Sequence, residues 1–228
     1  MKAIGIDPAP SKKNVIFDGE KFKEYEIDNL KNFIQNFVNK DILVCWDAPL
    51  AFNVNIKDFY YRPIEKFFKY HNKDSLPKGI SMMSIAGCPH WLMSQYVVGY
   101  PAVNCENNEI SLIIKKEDLQ ANKLKIVEVH PALAIWIWLK DENIEEWKYK
   151  KEKQIFEKIL RILKDKNIVN LDLPKHNDDY LDAYIAWKLG DMLINEPESV
   201  MLLGDESGCI LLPKDEEIKS KFNEFKNN

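Results

Sequence analysis

Arginine is nearly missing from this chain. Of its 32 basic residues only Arg62 and Arg161 are arginines; the rest are lysines. Guanidinium forks are the usual readers of base edges, so sequence-specific DNA recognition is not expected. Net basicity is missing as well. The formal charge is −4 and the isoelectric point about 5.7, so any contact with nucleic acid needs a local patch. Cysteine is sparse. Cys45, Cys88, Cys105 and Cys209 form no CxxC pair, which predicts free thiols in a reducing cytoplasm and no thiolate metal site. Long apolar runs are lacking: the most apolar stretch, Leu133 to Leu139, falls far short of the roughly 20 residues that span a bilayer. Met1-Lys2 leads straight into a strand-like run with no secretory leader. The expectation is a cytoplasmic protein with no membrane partner. Eight glycines and 11 prolines exclude collagen-like and low-complexity classes.

What is present is ordinary globular material. The 228 residues are 46% hydrophobic and 30% charged, enough to bury a substantial core. Lys2–Asp7, Val15–Phe17 and Phe22–Ile27 read as strands, and Asp18-Gly19 is a hairpin signal, so the chain opens as a three-stranded antiparallel meander. Asn29 is the expected N-cap of a helix over Leu30–Val38. Ile42–Trp46 is a continuous apolar run between two aspartates, the pattern of a strand buried on both faces. Residues 50–105 read as an irregular, partly helical insertion. Strands follow at Ile110–Ile114 and Lys125–Val129, and helices at Pro131–Leu139, Glu145–Lys166 and Asp178–Ile194. A hairpin closes the chain at Val200–Leu203 and Cys209–Leu212, before a charged tail from Lys214 that reads as a loosely held helix.

Four acidic positions stand out because a carboxylate there is costly without a partner. Asp7 ends the first strand, Asp47 ends the buried strand, and Glu128 interrupts the apolar run Ile126–Val129. At about 100° per residue, Asp182 points into the face made by Leu181, Ile185, Leu189, Met192 and Leu193, with Asp179 at its edge. A buried unpaired carboxylate costs several kcal/mol or becomes neutral, so a cation or a metal is expected beside it. Ends of adjacent parallel strands converge on one sheet edge. Clustered carboxylates without histidine or cysteine suit Mg²⁺ or Mn²⁺, whose main use is two-metal phosphoryl transfer.

Taken in order, Gly5-Ile6-Asp7, Trp46-Asp47-Ala48-Pro49-Leu50, Glu128-Val129-His130-Pro131 and Asp178-Asp179-Tyr180-Leu181-Asp182-Ala183 resemble the domain-of-unknown-function family 429, a group of predicted RNase H-like nucleases. Gly204–Ile210 with Pro213 also resembles that family's closing hairpin, and the DDxxDA stretch is similar to the end of Holliday-junction resolvases. The resemblance implies one α/β domain over residues 1–228: an RNase H-like mixed sheet, three antiparallel strands and then parallel ones, flanked by helices. The insertion lies at about 50–105, and a C-terminal hairpin plus tail at about 199–228. It implies divalent ions on Asp7, Asp47 and Asp179 or Asp182, with Glu128 as an added ligand or support.

Other residues carry two readings each. Lys12 meets phosphate or is a plain surface lysine. Arg62 clamps phosphate or makes a structural salt bridge. His130 moves protons or bonds within the core. The lysine-rich run Lys148–Lys166 tracks a nucleic-acid backbone or is a solvated helix face. The leading expectation is a metal-dependent nuclease or phosphodiesterase. The rivals are a catalytically silent nucleic-acid-binding or regulatory protein on the same fold and, last, a relative of actin-like kinases, for which the chain is too short and lacks the adenosine motif.

Overall fold

A computed structural model describes residues 1–37, 40–50, 61–71, 76–82, 85, 88–98, 110–120, 123–205 and 207–227. Strands β1 (Lys2–Asp7), β2 (Asn14–Phe17) and β3 (Phe22–Tyr25) form the expected antiparallel meander. Asp18 tightens the β2–β3 turn by accepting from the amides of Glu20 and Lys21, and Gly19 takes the positive φ of 91° that the turn requires. Helix α1 (Ile27–Gln35) starts two residues after β3, and its first backbone bond runs from Leu30 to Glu26, so Asn29 lies inside the helix instead of capping it. Strand β4 (Ile42–Trp46) runs parallel to β1, pairing Ile6 with Trp46.

The described part of the insertion holds α2 (Pro63–Lys66), a π-helical turn at Phe67–His71 and α3 (Pro89–Val98), and strand β5 (Ile110–Leu112) follows it. Residues 51–60, 72–75, 83–84, 86–87 and 99–105 of the insertion, Cys105 among them, lie outside the described ones. Strand β6 (Leu124–Val129) is parallel to β4. After it come α4 (Pro131–Leu139), α5 (Lys153–Asp165), α6 (Asp178–Asn195), strands β7 (Val200–Asp205) and β8 (Gly208–Pro213), and α7 (Glu216–Asn227). All eight strands form one mixed sheet in the order β3-β2-β1-β4-β6-β8-β7. The outer edge of β6 is shared, β5 covering its first half and β8 its end.

Two segments depart from expectation. The lysine-rich helix begins at Lys153, not at residue 145, because Trp147 and Tyr149 are drawn into the core and the Trp147 amide donates to the Lys78 carbonyl at 3.3 Å. The C-terminal tail is not loose: Ile218 and Phe222 are buried, and the Phe222 ring packs on Phe67 at 5.3 Å.

The sheet carries a core on each face. Side chains alternate, so Ile4, Ile6, Val44, Trp46 and Ile126 pack on one face with Leu30 and Ile34 of α1 and Met93 of α3. Leu43, Cys45, Val127 and Val129 face the other way, against α4 and α6. Helix α6 lies unusually close to β1. A Cβ at Gly5 would overlap the Ala183 carbonyl and Trp187 amide, and one at Gly190 would overlap Cys45 Sγ and stand 3.0 Å from Ala3 Cβ. These two glycines let the helix backbone rest on the strands. Cys45, Cys88 and Cys209 are buried, and Cys45 and Cys209 are free thiols.

Candidate metal centre

The close approach of α6 sets the site. Asp7 shares the face of Gly5 by strand alternation, and Asp47 that of Cys45, so both look toward α6. The Asp47 amide donates to the Ile6 carbonyl at 3.0 Å, which aligns the two strand ends. Asp182 comes down from the first turns of α6, whose Asn177 caps it by accepting from the Tyr180 amide at 3.3 Å. One oxygen from each of Asp7, Asp47 and Asp182 lies within 4.8 Å of the others. Asp47 and Asp182 are buried and Asp7 partly so.

Such crowding of acids has an electrostatic signature. Burial, then repulsion from Asp182 and Asp47, pushes the Asp7 carboxyl well above the usual carboxylate range. Burial lifts Asp47 to about 8, with Asp182 and Glu128 adding to the rise against the pull of Lys150. Asp182 is fixed by Tyr149, whose hydroxyl donates to Oδ1 at 2.6 Å. Its other oxygen, Oδ2, is buried without a hydrogen-bond partner among the described residues, although Lys150 Nζ stands 2.5 Å away as an ion pair. Burial works against the Lys150 ammonium, but Asp182, Tyr149, Asp47 and Asp7 together push its pKa well above the ordinary lysine value. The donor set is all hard oxygen, the atoms converge, and one buried oxygen lacks an aligned donor, so the residues fit Mg²⁺ or Mn²⁺.

A cavity of about 280 Å³ opens beside Asp7 and Asp47 and is walled by Ser81, His90, His130 and Lys150. Burial, then the nearby Lys150 and Lys12, lowers the His90 pKa. His130 is held at both nitrogens: Nδ1 accepts from the Leu133 amide at 3.3 Å as the cap of α4, and Nε2 donates to the Ser81 carbonyl at 3.2 Å. Burial pushes it down to about 4, so it is a neutral wall of the cavity.

The other expected residues are placed nearby but apart from the three acids. Asp179 is ion-paired with the half-exposed Lys12. Glu128 falls on the opposite face of the sheet because it pairs in register with Trp46, which faces away from α6. There it meets Arg62, which is 1% exposed and also grips Glu65, with Nη1 at 2.8 Å from Glu128 Oε2 and Nε at 2.9 Å from Glu65 Oε1. Gly208, at φ 152°, lies against this guanidinium, and a Cβ there would come within 2.9 Å of Cζ. Arg62 is therefore a structural ion pair and does not reach the surface to clamp phosphate. Lys150, Tyr149 and His90 were not singled out from the sequence. Lys150 sat inside a run that scans as a solvated helix, and nothing in its spacing pairs it with Asp182, 32 residues on.

Residues 109–200, which hold the Glu128–Pro131 and Asp178–Ala183 motifs, match a family model described as protein of unknown function (DUF429), which bears out the resemblance to family 429. No curated protein and no solved structure matches the chain.

Proposed function

We propose that this chain, with its DUF429 match over residues 109–200, is a divalent-metal-dependent nuclease or phosphodiesterase on an RNase H-like fold, hydrolysing by a two-metal mechanism. The observation that carries the reading is the meeting of Asp7, Asp47 and Asp182, from β1, β4 and α6, within 4.8 Å. The sheet supports the fold assignment: antiparallel β1 to β3 followed by parallel β4 and β6, with acids ending the first and fourth strands and on a late helix.

Asp7, Asp47 and Asp182 would hold Mg²⁺ or Mn²⁺, with Asp179 beside them. When bound, such a cation supplies Lewis acidity for a phosphate oxygen and for an attacking water. The chain's own residues do the rest. Tyr149 fixes the rotamer of Asp182. The cavity of about 280 Å³ beside Asp7 and Asp47 takes one phosphodiester-bearing group. Lys12, with over half its side chain exposed, meets a neighbouring phosphate. Arg62 pairs with Glu128 behind Asp47, which offsets the charge that Glu128 brings to Asp47.

The test is cleavage of single-stranded, duplex, hybrid and branched nucleic acids with Mn²⁺ or Mg²⁺, for the native chain and for Asp7→Asn and Asp182→Asn. Metal-dependent cleavage lost in both variants is expected; equal turnover in either one refutes the assignment. One feature favours a second reading, a catalytically silent nucleic-acid-binding or regulatory protein: Lys150 and Lys12 already neutralise Asp182 and Asp179. Saturable binding of one nucleic acid with cleavage of none supports that alternative.

A further inference from the structure

We infer that Lys150 is a built-in competitor for the divalent cation: its ammonium neutralises the acids of the metal-free protein, and metal binding displaces it into the cavity to face the substrate's phosphate. The inference rests on the metal reading above.

Three observations carry it. Lys150 Nζ lies 2.5 Å from Asp182 Oδ2, yet that oxygen has no hydrogen-bond partner among the described residues, so the ammonium is held as an ion pair without an aligned hydrogen bond. A doubly charged ion outcompetes a single charge held without a directed bond. The side chain is 44% exposed and lines the cavity of about 280 Å³, so it has room to leave. The neighbouring residue does the opposite: Tyr149 is buried and anchors Asp182 Oδ1 at 2.6 Å, so the carboxylate stays in place when the ammonium goes. Arg62 shows what a permanent ion pair looks like in this molecule, fully buried and bonded to two carboxylates through aligned N–H groups.

The experiment measures Mn²⁺ affinity by calorimetry on the full chain, on Lys150→Met and on the charge-keeping Lys150→Arg. Loss of a charged competitor is expected to tighten Mn²⁺ binding about tenfold or more in Lys150→Met, while Lys150→Arg stays close to the native affinity. A second measurement needs no variant. Acetic anhydride labelling of the native chain, read by mass spectrometry, compares Lys150 with Lys153, which is 78% exposed and pairs with Glu157 on its own helix. Mn²⁺ is expected to raise the Lys150-to-Lys153 labelling ratio. Mn²⁺ binding that is unchanged or weaker in Lys150→Met overturns the competitor role and leaves the metal reading standing. Absence of Mn²⁺ binding in every form overturns both. If Lys150→Met does not fold, an unchanged labelling ratio overturns the inference alone.

Discussion

Raising the pH of the metal-free protein is a direct probe of the crowded acids. Asp47 titrates at about 8 in the folded chain, against 3.8 for an unperturbed aspartate. Between those values the folded state holds a proton that the unfolded state has lost, so stability falls as pH rises through that window and the loss is complete above about pH 8. Histidines oppose this at the acid end. His130, pushed down to about 4 by burial, and His90, also lowered, make the fold gain stability as pH rises toward the unfolded histidine value of about 6.5. Above that value the histidines are neutral in both states and only the carboxyls act. From about pH 6.5 to 8 one proton-holding carboxyl loses roughly 1.36 kcal/mol per pH unit, or about 2 kcal/mol. Asp7, raised in the same direction, belongs to the same titrating cluster. Urea unfolding in EDTA, followed through tryptophan fluorescence, should therefore show stability dropping by about 2 kcal/mol or more over that interval. Asp47→Asn should flatten the drop and be the more stable protein at pH 8. Mn²⁺ should also erase it in the native chain. A native stability that is level or rising from pH 6.5 to 8, or an Asp47→Asn variant with the native slope, refutes the electrostatic account.

Two other substitutions test the frame around the acids. Gly5→Ala places a methyl group against the backbone of Ala183 and Trp187, so α6 has to back away; a loss of about 1–3 kcal/mol in urea unfolding is expected, together with weaker Mn²⁺ binding. Arg62→Met strands Glu65 and Glu128 in the interior and should cost about 3–5 kcal/mol, whereas the triple change with Glu65→Gln and Glu128→Gln should recover most of it. No recovery in the triple variant would mean that Arg62 acts by packing instead of charge.

The central strands and the carboxylates were the most legible parts of the sequence. Ile42–Trp46 reads as a strand covered on both sides and is one, and Pro131 and Asp178 open the helices they were expected to open. Asp182 betrayed itself because an acid on an apolar helix face demands a partner. Glu128 made the same demand, but its partner is a guanidinium 66 residues away and its face is set by register, which local pattern does not encode. Lys150 was hidden for the converse reason. A half-exposed lysine among lysines has no local cost to notice, and its role arises only from the fold that brings it over Asp182. The late start of the lysine-rich helix has the same origin, since Trp147 and Tyr149 are pulled inward by long-range contacts that override helical spacing.

The two glycines under α6 fix more than a packing distance. Asp7 and Asp47 are spaced by a parallel ladder, and the helix that brings Asp182 rests backbone to backbone on Gly5 and, at Gly190, on the small side chains of Cys45 and Ala3. The gap among the three acids thus behaves as a gauge of set bore. A small ion that bonds oxygen near 2.0–2.1 Å fits such a bore more readily than Ca²⁺, which asks for about 2.3–2.6 Å and a larger, more yielding shell. Ionic radius, and not charge alone, would then decide which cation the molecule keeps.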